Sequence, residues 1–193
     1  MLSFEADIAS LPILFPTQYC EPEFWEWLGR TVATFGFLED ALGKAIFALT
    51  ATQEFPPDEI KAAYAQWSTT LEKALTDPLG HLINSYEKAL RQHPKMEKSQ
   101  IANLTKELRA ASKIRNVLCH GSWGKPDGHG RSLPRFFDRG LGAFETPVGL
   151  AFLKQTQRAA AELACHVVSS VTLLGLQFPG SNGSGEVVWP PQK

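Results

Sequence analysis

The sequence predicts an all-α fold, an up-and-down bundle of about five helices with a small loop or β-hairpin insertion between the fourth and fifth. Three observations carry that expectation. Apolar residues recur at helical spacing through five separate stretches of the 193-residue chain. Proline, aspartate and glycine punctuate the gaps between those stretches. One break in composition, "GSWGKPDGHGRSLPRFFDRG", falls between the fourth stretch and the fifth.

The elements follow in order. After a proline-rich lead (Pro12, Pro16, Pro22), "EPEFWEWLGRTVATFGFLEDALGKAIFAL" places Phe24, Leu28, Phe35, Leu38, Leu42, Ile46 and Leu49 on one helical face. Pro56-Pro57-Asp58 opens a second helix bearing Ile60, Tyr64, Trp67, Leu71 and Leu75. Asp77-Pro78 reads as an N-cap with a first-turn proline, starting a third helix through Leu82, Ile83, Tyr86 and Leu90 that stops at His93-Pro94. The fourth runs from about Met96 to His120, with Gly121 in the position just past a helix end. In the break, Trp123 before Pro126-Asp127-Gly128 and Leu133, Phe136 and Phe137 after it suit a short hairpin. Thr146-Pro147 repeats the cap-plus-proline signal and opens a fifth helix through Leu150, Leu153, Ala160, Leu163, Val167, Val171 and Leu174. The organisation is therefore an N-terminal extended segment over 1–21, one helical domain over 22–176 and a tail over 177–193 in which Val187, Val188 and Trp189 can dock.

Composition narrows the setting. Hydrophobic residues make up 44% and charged residues 20%, which supports a real core, and mean hydropathy is −0.15. No apolar run is long enough for a membrane span, and the N-terminus lacks the pattern of a signal peptide. Cys20, Cys119 and Cys165 are too few and too scattered for a disulfide framework, so a reduced, cytoplasmic protein is expected. Net charge is −1 but unevenly spread. Residues 1–77 carry four Lys/Arg against twelve Asp/Glu, a net of −8; residues 91–139 carry eleven against four, a net of +7. Such a division fits either a polyanion-binding face or neutralisation within the fold.

The fourth helix holds an anomaly. At 100° per residue from Ile101, Arg115 falls at about 320°, between Leu104 at about 300° and Leu108 at about 340°. A lone guanidinium on an apolar stripe is untenable, so Arg115 pairs with an acid or faces a cleft or subunit interface. The first helix offers the acid. Measured from Phe24, Glu39 falls at about 60°, beside Leu28 and Ile46 at about 40°, while Asp40 points to solvent at about 160°. Asn116 and His120, four residues apart, share the flank of the fourth helix, where the amide can hold one imidazole tautomer. Arg115 and His120 are about 140° apart on an ideal helix. They point apart within one chain unless the helix unwinds at Gly121, and a two-fold axis brings two such sets over one cleft. Lys106, Arg109 and Lys113 lie on the His120 side, and Arg131, Arg135 and Arg139 follow in the loop, a distribution that favours an RNA-facing groove.

The run Arg115-Asn116-Val117-Leu118-Cys119-His120 resembles the Arg-x4-His motif of the HEPN superfamily, and "FLEDAL" is similar to that family's acidic position in the first helix. The likeness spans about 22–176 in layout and six residues in motif. It implies a metal-independent endoribonuclease of toxin or defence type, without cofactor, working at a homodimer cleft on RNA. It assigns His120 as general acid/base and Arg115 as stabiliser of the phosphorane, with Asn116 holding the site and Glu39 supporting Arg115. It further implies an antitoxin protein as partner. Ser122 stands two residues after the histidine, where some toxin members carry tyrosine, which separates this chain from that branch. The alternative is a catalytically silent HEPN-like module binding a nucleotide or a protein, with Arg115 structural. A helical dimer without any ligand is a third reading. An open cleft lined by Arg115 and His120 from two chains favours the nuclease; Arg115 sealed against Glu39, with His120 apart, favours its rivals.

Other signals carry less. Cys119-His120 and Cys165-His166 are adjacent pairs that diverge by about 100° on a helix, and zinc-ligand spacings are absent. His129 sits on a solvated loop, and Trp25, Trp27 and Trp67 suit a core or dimer face. The glycines of 121–130 match neither GxxxxGK[ST] nor GxGxxG, and GxSxG is also lacking.

Overall fold

Pro22 opens the longest helix, α1 (Pro22–Ala51), at a first-turn position where its missing N–H costs nothing. The structure, a computed structural model, describes residues 7–52, 56–93, 96–138 and 142–181. Four more helices follow α1: α2 (Ile60–Thr76), α3 (Leu79–Gln92), α4 (Lys98–His120) and α5 (Leu150–Thr172). Between α4 and α5 lies one antiparallel pair, β1 (Phe137–Asp138) with β2 (Gly142–Ala143). The expected all-α bundle with a small insertion is the fold observed. Among the described residues, no helix is long and apolar enough to cross a membrane.

Helix α1 is the hub. Its stripe Phe35, Leu38, Leu42, Ile46 and Leu49 is sealed between α5 and α3, and α4 packs chiefly on α3. Inward residues Ile83, Tyr86 and Leu90 of α3, Ile101 and Leu108 of α4, and Leu153, Val167 and Val171 of α5 complete one core. The buried hydroxyls of Thr31, Thr105, Ser132 and Ser170 are all partnered. The Ser170 hydroxyl donates to the Val167 carbonyl at 2.7 Å, so at the 2.6 Å contact it accepts from the Tyr86 hydroxyl. The Thr31 hydroxyl donates to the Trp27 carbonyl at 2.7 Å. Phe178, just after α5, is buried as well.

Several expectations change. The apolar stripe of α2 is mostly uncovered: Ile60, Tyr64 and Leu75 are exposed, and only Ala74 of this helix is buried. Helical periodicity reports an amphipathic face, not the presence of something to cover it. The helix leans chiefly on α1, in part through Trp67, whose ring lies 5.7 Å from that of Phe47 and whose Nε1 donates to the Thr50 hydroxyl. The N-cap of α3 is Pro78, not Asp77, and no side chain caps it. Helix α5 begins at Leu150 rather than at Thr146-Pro147, because Val148 is held in a two-bond bridge with Ser132. The insertion is pinned twice more. Ser122 and Arg135 pair through their backbones, and Trp123 stacks edge-on against Phe24 at 5.2 Å. The pairing expected around Trp123 and Leu133 is thus a single bridge, and the regular strands lie beyond it. Arg139, Val187, Val188 and Trp189 fall outside the described residues.

Candidate functional site

The last two turns of α4 face a cleft of about 960 Å³, walled opposite by α2 and floored by α1. Arg115, Asn116 and His120 all line it, as does Glu39 from α1. Helix α4 stays regular through His120, so no unwinding brings Arg115 and His120 together. The cleft is wide enough, and close enough to the helix end, that side chains about 140° apart both reach it.

Glu39 meets Arg115 as the helical wheels predict. Arg115 Nη2 lies 3.0 Å from Glu39 Oε1, with about a quarter of each side chain exposed. That carboxylate oxygen is itself inaccessible to solvent and receives no well-aligned hydrogen bond. The contact is therefore an ion pair of good distance and poor angle. Arg115 Nη1 donates to the Asn116 amide oxygen at 3.4 Å, a long bond. The guanidinium is steadied but not used up, since its exposed portion opens into the cleft. Of the two arrangements that separate nuclease from structural role, this one has a feature of each: Arg115 is paired, and it shares a cleft with His120.

Gly121 follows with an extended backbone (φ −69°, ψ 138°), not the left-handed turn usual for a glycine past a helix end. Its requirement is space. A Cβ there would lie 2.6 Å from the Val117 carbonyl oxygen and 2.8 Å from Pro134 Cβ. The chain thus leaves α4 hard against the insertion, which orients the turn bearing His120.

Cys119, beside His120, is an unsuitable nucleophile. Desolvation pushes its thiol above the ordinary value and Arg115 only partly opposes that, so it remains protonated near neutral pH. The cleft carries charges that sequence reasoning passed over: Asp40 and Lys44 pair at 2.7 Å on its α1 wall, and Asp77 stands at its α2 end. The i,i+4 spacing of Asp40 and Lys44 was the available signal.

The predicted RNA-binding residues divide. Lys106, Arg109 and Lys113 line not this cleft but a second, of about 620 Å³, between α4 and the β1–β2 insertion. Arg109 is engaged there, at 2.5 Å from Glu87 and 3.1 Å from the Asn84 amide oxygen. Arg91, 2.6 Å from the other oxygen of Glu87, and Arg109 together hold that carboxyl below its ordinary range. Arg131 is bound to Asp127, whose carboxylate also accepts the backbone N–H groups of His129 and Arg131 and is lowered to about 2. Arg135 is exposed, its backbone tied to Ser122. Among the described residues, Glu39–Arg115 is the ion pair that joins the acidic first 77 residues to the basic 91–139 stretch, while Arg91, Arg109 and Arg131 are paired with Glu87 and Asp127. No group of three or more His, Cys, Asp or Glu side chains among the described residues is arranged to hold a metal ion.

Comparison of the chain with family models, with curated proteins and with solved structures returns no match.

Proposed function

We propose that the chain is a HEPN-like, metal-independent endoribonuclease of toxin or defence type, acting as a homodimer. The observation that carries this reading is the convergence of Arg115, Asn116 and His120 on one open cleft at the end of α4. A fixed cation beside an imidazole suits phosphodiester cleavage by the adjacent ribose hydroxyl. In the reaction the 2′-oxygen attacks phosphorus and loses its proton to an imidazole. The P–O5′ bond breaks, and the departing 5′-oxygen takes a proton from an imidazolium. Arg115 donates to the non-bridging oxygens as negative charge builds on them. Removal of one proton and delivery of another on opposite sides of phosphorus call for two imidazoles, which a two-fold pair of His120 supplies. An antitoxin protein covering this cleft is the expected regulator.

The test is incubation of the purified protein with mixed RNA in EDTA, beside His120→Ala and Arg115→Ala. Wild-type cleavage leaving 2′,3′-cyclic phosphate ends, abolished in both variants, is the expected result. His120 is exposed, so its loss leaves folding intact and isolates the chemistry. A second reading rests on the Glu39–Arg115 pair: a silent module binding a nucleotide or protein, with Arg115 holding α4 to α1. It prevails where no RNA is cleaved and Arg115→Ala unfolds the protein while His120→Ala does not.

A further inference from the structure

The two clefts share one lining residue, Phe136. On one side of it lie Arg115 and His120; on the other lie Lys106, Lys113 and Asp138, with Phe144 also lining the recess. The insertion pins the backbone on either side of that residue. Residue 135 is bonded through both its backbone groups to Ser122, and the Phe136 carbonyl accepts the Phe144 N–H at 3.0 Å. Phe136 is nonetheless only half-buried, so an aromatic side chain stands between a first cleft of mixed charge and a second in which three cations, Lys106, Arg109 and Lys113, outnumber one acid, Asp138. Lys106, Lys113 and His120 succeed one another at intervals of two helical turns along α4, about 10 Å each. Neither lysine has an ion-pair partner among the described residues, whereas Arg109 in the same recess is already held by Glu87.

We infer that the second cleft is the subsite for an unpaired nucleotide flanking the scissile phosphate, its base stacked on Phe136 and its phosphate held by Lys106 and Lys113. The inference rests on the nuclease reading of the first cleft and deepens it by naming the substrate as single-stranded at that point. A recess of about 620 Å³ takes one base, and a base in a duplex is already covered on both faces by its neighbours. Stacking on an aromatic side chain with a lysine at the backbone is the usual means of holding a single strand without reading its sequence.

The experiment measures anisotropy of a fluorescein-labelled 2′-O-methyl RNA of about eight nucleotides, which binds but is not cleaved, and of its duplex. Phe136→Ala weakens single-strand binding by roughly tenfold to a hundredfold, while Phe136→Tyr retains it. Lys113→Ala weakens it less and lowers the slope of log affinity against log salt by about 0.7. The duplex binds more weakly, and Phe136→Ala does not change that. Single-strand affinity unchanged in a folded Phe136→Ala variant, or no binding by wild type, overturns the subsite. Phe136-dependent binding without cleavage in EDTA leaves the subsite standing and removes the nuclease reading. Cleavage whose KM is untouched by Phe136→Ala does the reverse.

Discussion

Replacing Arg115 by methionine tests whether the guanidinium is anchored by Glu39 or simply tolerated. At 3.0 Å the gross attraction is about 5 kcal/mol at an effective dielectric of about 20. Each side chain is about three-quarters covered, so desolvation and the poor hydrogen-bond angle return most of that. A net coupling of about 1–2 kcal/mol remains. Methionine suits the neighbouring apolar stripe, but it strands the inaccessible Glu39 Oε1, a penalty of about 1–3 kcal/mol. Glu39→Gln alone costs about 1 kcal/mol, since the amide oxygen still faces the guanidinium. The double variant is therefore destabilised by clearly less than the sum of the two. Urea unfolding of all four proteins, followed by circular dichroism and extrapolated linearly, gives the cycle. A coupling below about 0.5 kcal/mol, or an Arg115→Met variant as stable as wild type, refutes the anchoring.

Gly121→Ala forces a Cβ to within 2.6 Å of the Val117 carbonyl oxygen, so either the last turn of α4 or Pro134 must shift. A loss of about 1–3 kcal/mol is expected in urea unfolding, with the proposed RNA cleavage reduced beyond what that loss explains; cleavage at the wild-type rate shows that the turn bearing His120 does not depend on this contact. The Asp127 carboxyl, lowered to about 2 from a usual 3.8, gives the loop stability that is complete above the unfolded value and lost as pH falls through the folded one. Its side-chain carbon resonance titrates with a midpoint near 2, and protection of the His129 and Arg131 amides persists at pH 4; a midpoint near 3.8 shows that the carboxylate is not engaged.

The parts legible in the sequence are those decided within one helix. The stripes of α1, α4 and α5 are buried as their spacing requires, and two helical wheels suffice to bring Glu39 to Arg115. Where a neighbour decides, sequence patterns fall short. The stripe on α2 has the right period yet is mostly uncovered, its main contact being α1. Thr146-Pro147 has the chemistry of a helix start, but a bridge to Ser132 keeps the chain extended for another turn. Phe136 illustrates the limit for the site itself. Its place between two clefts depends on the Ser122–Arg135 pairing and on Trp123 meeting Phe24, contacts between segments far apart in sequence that no local spacing encodes.

The uneven burial of the two cleft walls has a bearing on motion. Arg115, Asn116 and His120 ride on one helix rooted in the core through Ile101, Leu108 and Leu118, so their mutual spacing is set as firmly as the core itself. The facing wall, α2, is tethered to α1 and buries a single alanine. Segments with so little buried apolar contact open at a small fraction of the global unfolding free energy. Accommodation of a large guest in this cleft therefore falls to α2, which yields while Arg115, Asn116 and His120 stay still.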